Sequence, residues 1–276
     1  MQRPSAQLCA RGPALPAVKY LSSRDNPRLK QLRRWAANGR ARREDGVILL
    51  DGLHLITSLQ AAAGSIQEVI VSESGARKAE IVDWLAGNAL FDIVVIPDPL
   101  FAEIAVTETP SGILAIAGVP LPLSPIDNDL DCVVLDGIQD PGNVGTLLRT
   151  AAAAGIRQAV LSPGCADAWA PKTLRAGQGA QFELAVYENC DLLAMLAAYR
   201  GTSIVTRLDA ASSLYETPLA GPLAWVFGSE GQGVSAPVCA AASLGIFIPM
   251  PGRTESLNVA AAAAVCLFEV VRRRRS

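Results

Sequence analysis

No two cysteines stand in a C-x-x-C spacing, and the chain holds a single histidine, His54. The six cysteines, at 9, 132, 165, 190, 239 and 266, are scattered. This pattern argues against the common zinc frameworks and a disulfide scaffold, and it fits a reducing cytoplasm. No apolar run of spanning length is free of turn residues or charges, so nothing in the sequence reads as a membrane span. The alanine run 260–264 is short and weakly hydrophobic. What is present is core: hydrophobic residues make up 50% of the chain, which excludes wholesale disorder. With 276 residues there is room for one large domain or two modest ones.

The net charge of −2 conceals an asymmetry along the chain. Residues 1–43 hold eleven Lys and Arg and one acid, Asp25, whereas residues 44–276 hold 13 basic and 25 acidic residues. A polyanion is attracted to the first segment rather than to the whole protein. A merely solvated basic helix is the plain alternative, and the scarcity of acids across those 43 residues weighs against it.

Residues 1–19 carry three prolines and little periodicity and are expected to form a loose tail without the apolar core of a signal peptide. Their acid-poor, arginine-bearing start has a weak likeness to a mitochondrial transit peptide, but it is short and poorly amphipathic. A helix is expected over 27–37, closed by Asn38-Gly39, with Leu29, Leu32 and Trp35 as its core stripe. Strands are expected at 47–50, 69–71, 93–96 and 113–119, and helices at 52–63 and 78–85. This alternation makes residues 20–120 a small α/β module. Residues 121–130, rich in proline, read as a linker, and a second α/β domain fills 131–276. There, strands are expected at 133–135, 159–161, 182–186, 203–206, 223–227 and 246–250, with helices at 143–154, 171–176 and 192–199. A last helix should run on from Leu257, with Ser256 as its N-cap.

Three strand ends carry polar, glycine-bearing loops, the place where open α/β sheets bind ligands. The first is DGIQDPGNVGTLLRTAAAAGI, 136–156. At 100° per residue Arg149 falls on the face of Gly142, Gly145 and Thr146, away from the stripe of Val144, Leu147 and Ala151. That face reads as left open by glycine. A surface arginine is the plain reading. A cation near a helix start is disfavoured by the dipole, which makes a functional one more credible. The second loop, GSEGQGVS at 228–235, follows a strand, but its G-x-x-G-x-G order is not the dinucleotide fingerprint. The third is PGRTESLNV, 251–259, with Ser256 and Asn258.

Together, in this order, DPGNVGTLLRTA (140–151), FGSEGQGVS (227–235) and IPMPGRTESLNV (248–259) resemble the SpoU/TrmH-type RNA ribose 2′-O-methyltransferases of the SPOUT superfamily. The likeness covers the second domain, and DAWAPKTLRAGQGA (167–180) shares it. The first domain is similar, more loosely, to the ribosomal-protein-like substrate-binding module that precedes this domain in many members. Asp51-Gly52 stands where a Glu-Gly pair is common, and Ala260 where many members carry serine.

The resemblance implies an N-terminal α/β RNA-binding domain and a C-terminal α/β domain with a mainly parallel sheet and a deep trefoil knot. It implies S-adenosylmethionine as methyl donor, held near Gly228, Ile248, Met250 and Leu257, and no metal. Arg149 matches the family's catalytic arginine. Asn143, Glu230, Ser256 and Asn258 match the polar residues that fix the arginine, the cofactor and the nucleotide. Because arginine is a very weak acid, orienting the hydroxyl and a phosphate is a safer role for Arg149 than that of a base. Lys172 and Arg175, at i and i+3, are candidates for RNA phosphates, as are Arg24, Arg28, Lys30, Arg33 and Arg34 in the basic segment. A homodimer joined through the knot is implied, with RNA as partner and no membrane. The preceding module favours ribosomal over transfer RNA. A non-catalytic RNA-binding protein of ribosome assembly and a small-molecule enzyme on a Rossmann-like sheet are the competing readings.

Overall fold

The computed structural model describes residues 18–88, 91–107, 109–254 and 256–275. It divides into two compact units, residues 1–119 and 120–276.

The first unit contains β1 (Val18–Tyr20), α1 (Pro27–Ala37), α2 (Gly39–Asp45), β2 (Val47–Asp51), α3 (Leu53–Ala61), β3 (Ile66–Ser72), α4 (Ala79–Gly87), β4 (Asp92–Ile96), α5 (Asp98–Ile104) and β5 (Ile113–Gly118). The sheet order is β1-β4-β3-β5-β2. Strands β1, β4 and β3 are parallel, and β5 runs antiparallel to both its neighbours. Near-continuous apolar runs such as Val47–Asp51 and Asp92–Ile96 suit strands covered on both faces. The expected tail lies mostly outside the described residues. Val18 and Lys19 do not: they pair with Ile93 and Val94 as an edge strand too short to show a period. Helix α1 starts where Asn26 Oδ1 accepts from Arg28 N at 2.8 Å, and it buries Leu29, Leu32 and Trp35 against Ile70, Val94 and Phe101. Asn38 ends that helix and also opens α2, its Oδ1 accepting from Ala41 N at 3.2 Å. A second helix therefore stands where the sequence reading named no element.

The second unit contains β6 (Cys132–Asp136), α6 (Pro141–Ala153), β7 (Gln158–Leu161), α7 (Pro171–Gly177), β8 (Ala185–Tyr187), α8 (Leu192–Ala198), β9 (Thr202–Thr206), β10 (Ser212–Ser213), β11 (Leu223–Gly228), α9 (Ala236–Ala241), β12 (Leu244–Phe247) and α10 (Val259–Arg275). Seven parallel strands lie in the order β10-β12-β9-β11-β6-β7-β8. One face packs Val134, Val160, Val205 and Val226 on Leu192, Met195, Leu196 and Val238 of α8 and α9. Helix α10 packs on α6 and β11 through the buried stripe Ala260, Ala263, Cys266, Leu267 and Val270. Burial pushes the thiols of Cys132, in the core under α8 and α9, and of Cys266, in the buried stripe of α10, up to about 12, so both stay protonated.

Two expected strands of this unit are displaced. The strand expected over 246–250 ends at Phe247, because its partner β9 ends opposite Ile246 and Pro249 offers no ladder donor. Ile248 and Met250 thereby leave the sheet for a loop. The strand expected over 182–186 is a turn of 3₁₀ helix, Ala180–Glu183, followed by β8.

Helix α10 ends in a clasp. Arg273 donates to Leu214 O at 2.8 Å and Thr217 O at 2.6 Å, and Arg274 donates to Gly221 O at 2.7 Å and Asp131 Oδ1 at 3.1 Å. Glu269, 9% exposed, takes Arg272 at 2.8 Å and Arg273 at 2.6 Å, and these two guanidinium groups hold its carboxyl at about 2. These arginines are occupied in holding the unit together.

Candidate active site

The tips of β9, β11 and β12 open on a cleft of about 1050 Å³. Gly228, Ile248, Met250 and Leu257 line it, as do Glu230, Ser256 and Asn258. The loop after β11 folds back over Gly228, where a Cβ would lie 2.1 Å from Gly233 C and Val234 N. Gly233 turns the loop with φ 68°, its N–H donating to Ser229 O at 2.7 Å. Asp136, at the end of β6, fixes the far side of the loop by accepting from Ser235 N at 2.8 Å.

Asn143, Glu230 and Asn258 meet although they lie on three separate segments: the first turn of α6, the loop after β11 and the residue before α10. Asn258 Oδ1 accepts from Ala260 N at 2.9 Å and Ala261 N at 3.3 Å, so Asn258 caps α10. Ser256, expected to be the cap, stands two residues too early, since Asn258 is where the chain is tied to α6. With its oxygen engaged, Asn258 donates Nδ2 to Asn143 Oδ1 at 3.2 Å. Asn143 in turn donates Nδ2 to Glu230 Oε1. The direction of every bond in this chain is set by the helix N-terminus at one end and the carboxylate at the other. Asp140, not singled out in the sequence, caps α6 by accepting from Asn143 N at 2.9 Å; a D-P pair ahead of a helix is the signal that marks it.

Arg149 does not line the cleft. It lies about 9 Å along α6 and about 120° round it from Asn143, on ideal helix geometry. It is exposed, and among the described residues it has no hydrogen bond or ion pair. The face it shares with Gly145 is open at Thr146 and Arg149, but at Gly145 it is covered by α7, where an open face was expected. A Cβ at Gly145 would lie 2.4 Å from Thr173 O, 2.7 Å from Ala176 Cβ and 2.8 Å from Gly177 N. The glycine is there for close helix packing.

Of the other expected cations, Lys172 lies 3.7 Å from Asp140, and Arg175 is exposed without a partner among the described residues. All five in the first unit are paired. Arg24 Nε donates to Glu103 at 2.8 Å, and Arg33 Nε lies 2.6 Å from the same carboxylate. Arg28 Nε donates to Glu68 at 2.9 Å and lies over the Trp35 ring at 4.9 Å. Lys30 lies 3.1 Å from Asp25, and Arg34 lies 3.4 Å from Glu44 and 3.6 Å from Asp45.

The cleft has a wall that sequence reasoning missed, Thr206 to Asp209 at the tip of β9. Arg207 grips Asp209 with a fork, Nε to Oδ1 at 2.7 Å and Nη2 to Oδ2 at 2.6 Å. These bonds hold the Asp209 carboxyl below its ordinary range and raise Arg207 above its own. Only the position, a polar turn after a strand, marks this pair in the sequence.

Among known proteins, a family model described as the SpoU rRNA Methylase family matches residues 132–268, and an MRM3-like substrate binding domain matches residues 26–115. Over 241 residues, 82% of this chain and 96% of the relative, the sequence is 34% identical to the 23S rRNA (guanosine-2'-O-)-methyltransferase RlmB of Ralstonia nicotianae. The chain belongs to the SpoU rRNA methylase family. It is also 29% identical over 255 residues, 92% of this chain and 99% of the relative, to the 23S rRNA (guanosine(2553)-2'-O)-methyltransferase RlmP of Bacillus subtilis. The crystal structure of an AdoMet-bound rRNA methyltransferase from Sinorhizobium meliloti superposes with a TM-score of 0.80 at 25% identity, covering 93% of this chain and 98% of that one. The two-part fold that the resemblance implied, a small α/β module before a mainly parallel α/β domain, is the fold of these methyltransferases.

Proposed function

We propose that this protein transfers the methyl group of S-adenosylmethionine to a ribose 2′-hydroxyl of ribosomal RNA. The observation that carries the reading is the hydrogen-bond chain Asn258–Asn143–Glu230, which joins three distant motifs at the rim of one cleft. The cleft also fits the donor. It is large enough, it has apolar surface for an adenine in Phe247, Ile248, Met250 and Leu257, and it holds a carboxylate, Glu230, for a cationic group. S-adenosylmethionine supplies a methyl on a sulfonium, whose release as a neutral thioether drives the transfer.

The protein's part is then orientation and charge. Asn143 and Asn258 fix the Glu230 carboxylate through one oxygen. Backbone around Gly228, Ile248, Met250 and Leu257 holds the donor. Arg149, permanently charged at an exposed site, orients the phosphate and the 2′-hydroxyl rather than acting as a base. Because Arg149 lies away from its own cleft, we assign it to the cleft of a second copy, in a homodimer joined through the knotted region. Residues 20–120 serve as the RNA substrate-binding domain, 121–130 as linker and 131–276 as the catalytic domain. Arg24, Arg28, Lys30, Arg33, Arg34, Lys172 and Arg175 are the proposed phosphate contacts. The substrate-binding module and the full-length likeness to 23S rRNA methyltransferases favour ribosomal over transfer RNA, and the cytoplasm is the proposed place of work.

The test is incubation with labelled donor and separated ribosomal and transfer RNA, followed by mapping of the methyl group. Label on a ribose of ribosomal RNA is expected. Label in transfer RNA alone reassigns the substrate, and donor binding without any transfer overturns the enzyme.

A further inference from the structure

Among the described residues only three charged side chains line the cleft: Arg207, Asp209 and Glu230. Glu230 stands on the side of Asn143, where the three motifs meet. Arg207 and Asp209 follow β9, and in the sheet β11 separates β9 from β6 and the loop that leads to α6. A molecule lying across these strand tips therefore has one end at the reacting groups and the other at the Arg207–Asp209 pair.

The pair is built on a fixed support. Arg207 N donates to Ile246 O at 2.9 Å, which extends the β9–β12 ladder by one residue. Gly245 makes room for the arginine stem, since a Cβ there would lie 3.3 Å from Arg207 Cδ. The fork then holds the Asp209 carboxylate in one orientation, although its side chain is 73% exposed. Each carboxylate oxygen has two lone-pair sites and gives one to Arg207, so each keeps one acceptor. Two acceptors on adjacent oxygens match a cis-diol with two hydroxyl donors. Between the pair's two residues, Leu208 leaves 64% of its surface exposed, an apolar side chain facing outward at the same wall.

We propose that Asp209 binds the ribose 2′- and 3′-hydroxyls of the methyl donor, with Arg207 as the positioning residue that holds the carboxylate ready. Leu208 lies against the nucleoside beside it. This rests on the methyl-donor reading of the cleft and adds to it a specificity element that reads the sugar.

The test is calorimetric titration of the full-length protein with S-adenosylhomocysteine and with its 2′-deoxy and 3′-deoxy analogues, so turnover plays no part. Wild type should bind each deoxy analogue about tenfold more weakly or worse, the range for hydrogen bonds to a charged group. Asp209→Ala should bind all three ligands with one weakened affinity, having lost the ability to tell them apart. Asp209→Asn should discriminate partly, because one amide oxygen still accepts. Arg207→Lys should keep part of the discrimination and Arg207→Ala less, since lysine offers a point charge in place of a fork. Equal binding of the three ligands by wild type overturns this inference alone, as does full discrimination by Asp209→Ala. Failure of wild type to bind any of them overturns the methyl-donor reading and this inference with it.

Discussion

Glu230 has one carboxylate oxygen engaged by Asn143 and no cation within ion-pair distance among the described residues, whereas Asp209 is neutralised by Arg207. The lining of the cleft thus carries one uncompensated negative charge. S-adenosylmethionine has one more positive charge than the demethylated product, so the cleft is matched to the substrate and less to what leaves it. Two unit charges about 4 Å apart in water interact by about 1 kcal/mol, roughly a fivefold change in affinity. Glu230→Gln should therefore weaken donor binding about fivefold more than product binding, measured by titration with each ligand. Equal losses remove Glu230 as a charge selector. Arg149 makes a different prediction. If it serves the cleft of a second copy, Arg149→Ala and Glu230→Ala are each inactive alone. Mixed and allowed to exchange, they should recover up to about a quarter of the activity, since a hybrid dimer has one intact cleft. No recovery, with hybrid dimers demonstrated by mass, returns Arg149 to its own cleft.

Helices α6 and α7 touch at Gly145, and the atoms a side chain would meet include a backbone carbonyl and a backbone N–H. Backbone cannot turn aside as a flexible side chain can, so Gly145→Ala should cost about 1–3 kcal/mol, the range for overpacking. A shift of the urea midpoint at constant slope checks it. Within α10, Glu269 holds Arg272 and Arg273 one turn further on, and Arg273 in turn reaches Leu214 O and Thr217 O. The Glu269 carboxyl is lowered from 4.5 to about 2, so the ionised form is favoured in the folded state. That contribution is complete above about pH 4.5 and is lost as pH falls towards 2. Glu269→Gln should flatten this limb of the pH–stability curve, read from thermal melts between pH 2 and 5. The two helices also show what sequence reasoning reaches. The body of α6 was legible, because the spacing of Val144, Leu147 and Ala151 is a local signal, but its start was placed two residues late, at 143, because Asp140 was not read as the cap. The partner of Gly145 was not, because a glycine looks the same whether its neighbour is water or another helix. Nor was the true cap of α10, since the choice of Asn258 over Ser256 depends on Asn143, 115 residues away. Helix α2 was missed because Asn38 serves both as stop and as start. The three motif loops stood out as polar breaks after apolar strands. The Arg207–Asp209 wall follows a strand too, but without a glycine to mark it.

Charge read along the chain and charge read in the folded protein differ. By position the first 43 residues carry eleven cations and one acid, but residues 1–119 together carry 13 basic and 12 acidic residues. Folding brings Glu44, Asp45, Glu68 and Glu103 to the arginines of α1 and its approach. A phosphate must displace a carboxylate to bind there, whereas Arg149 and Arg175 are available without that step. Each phosphate contact contributes about 0.7 to 0.9 to the slope of log affinity against log salt. Replacing Arg149 and Arg175 by alanine should therefore lower the slope for RNA binding by about 1.5. Replacing Arg24 and Arg33, which share Glu103, should lower it less. A larger loss from the second pair restores the basic segment as the main RNA anchor.

The clasp at the end of α10 has a consequence for the time course of synthesis. Asp131 and Arg274, which it joins, are 143 residues apart. At roughly 5–20 residues per second, about 7–30 s pass between making the first and making the second. All strands of the first unit's sheet have been translated before Asp131 appears, so that unit can fold while the rest is being made. The second unit waits. Trp225 and Ile156, which border Leu267, Val270 and Arg274, have no cover on that side until α10 arrives. During this interval the nascent chain carries a first unit free to fold, joined to an open apolar sheet. Slow codons placed after Phe247 would prolong that exposure, and changes there can lower the yield of folded protein without altering a single amino acid.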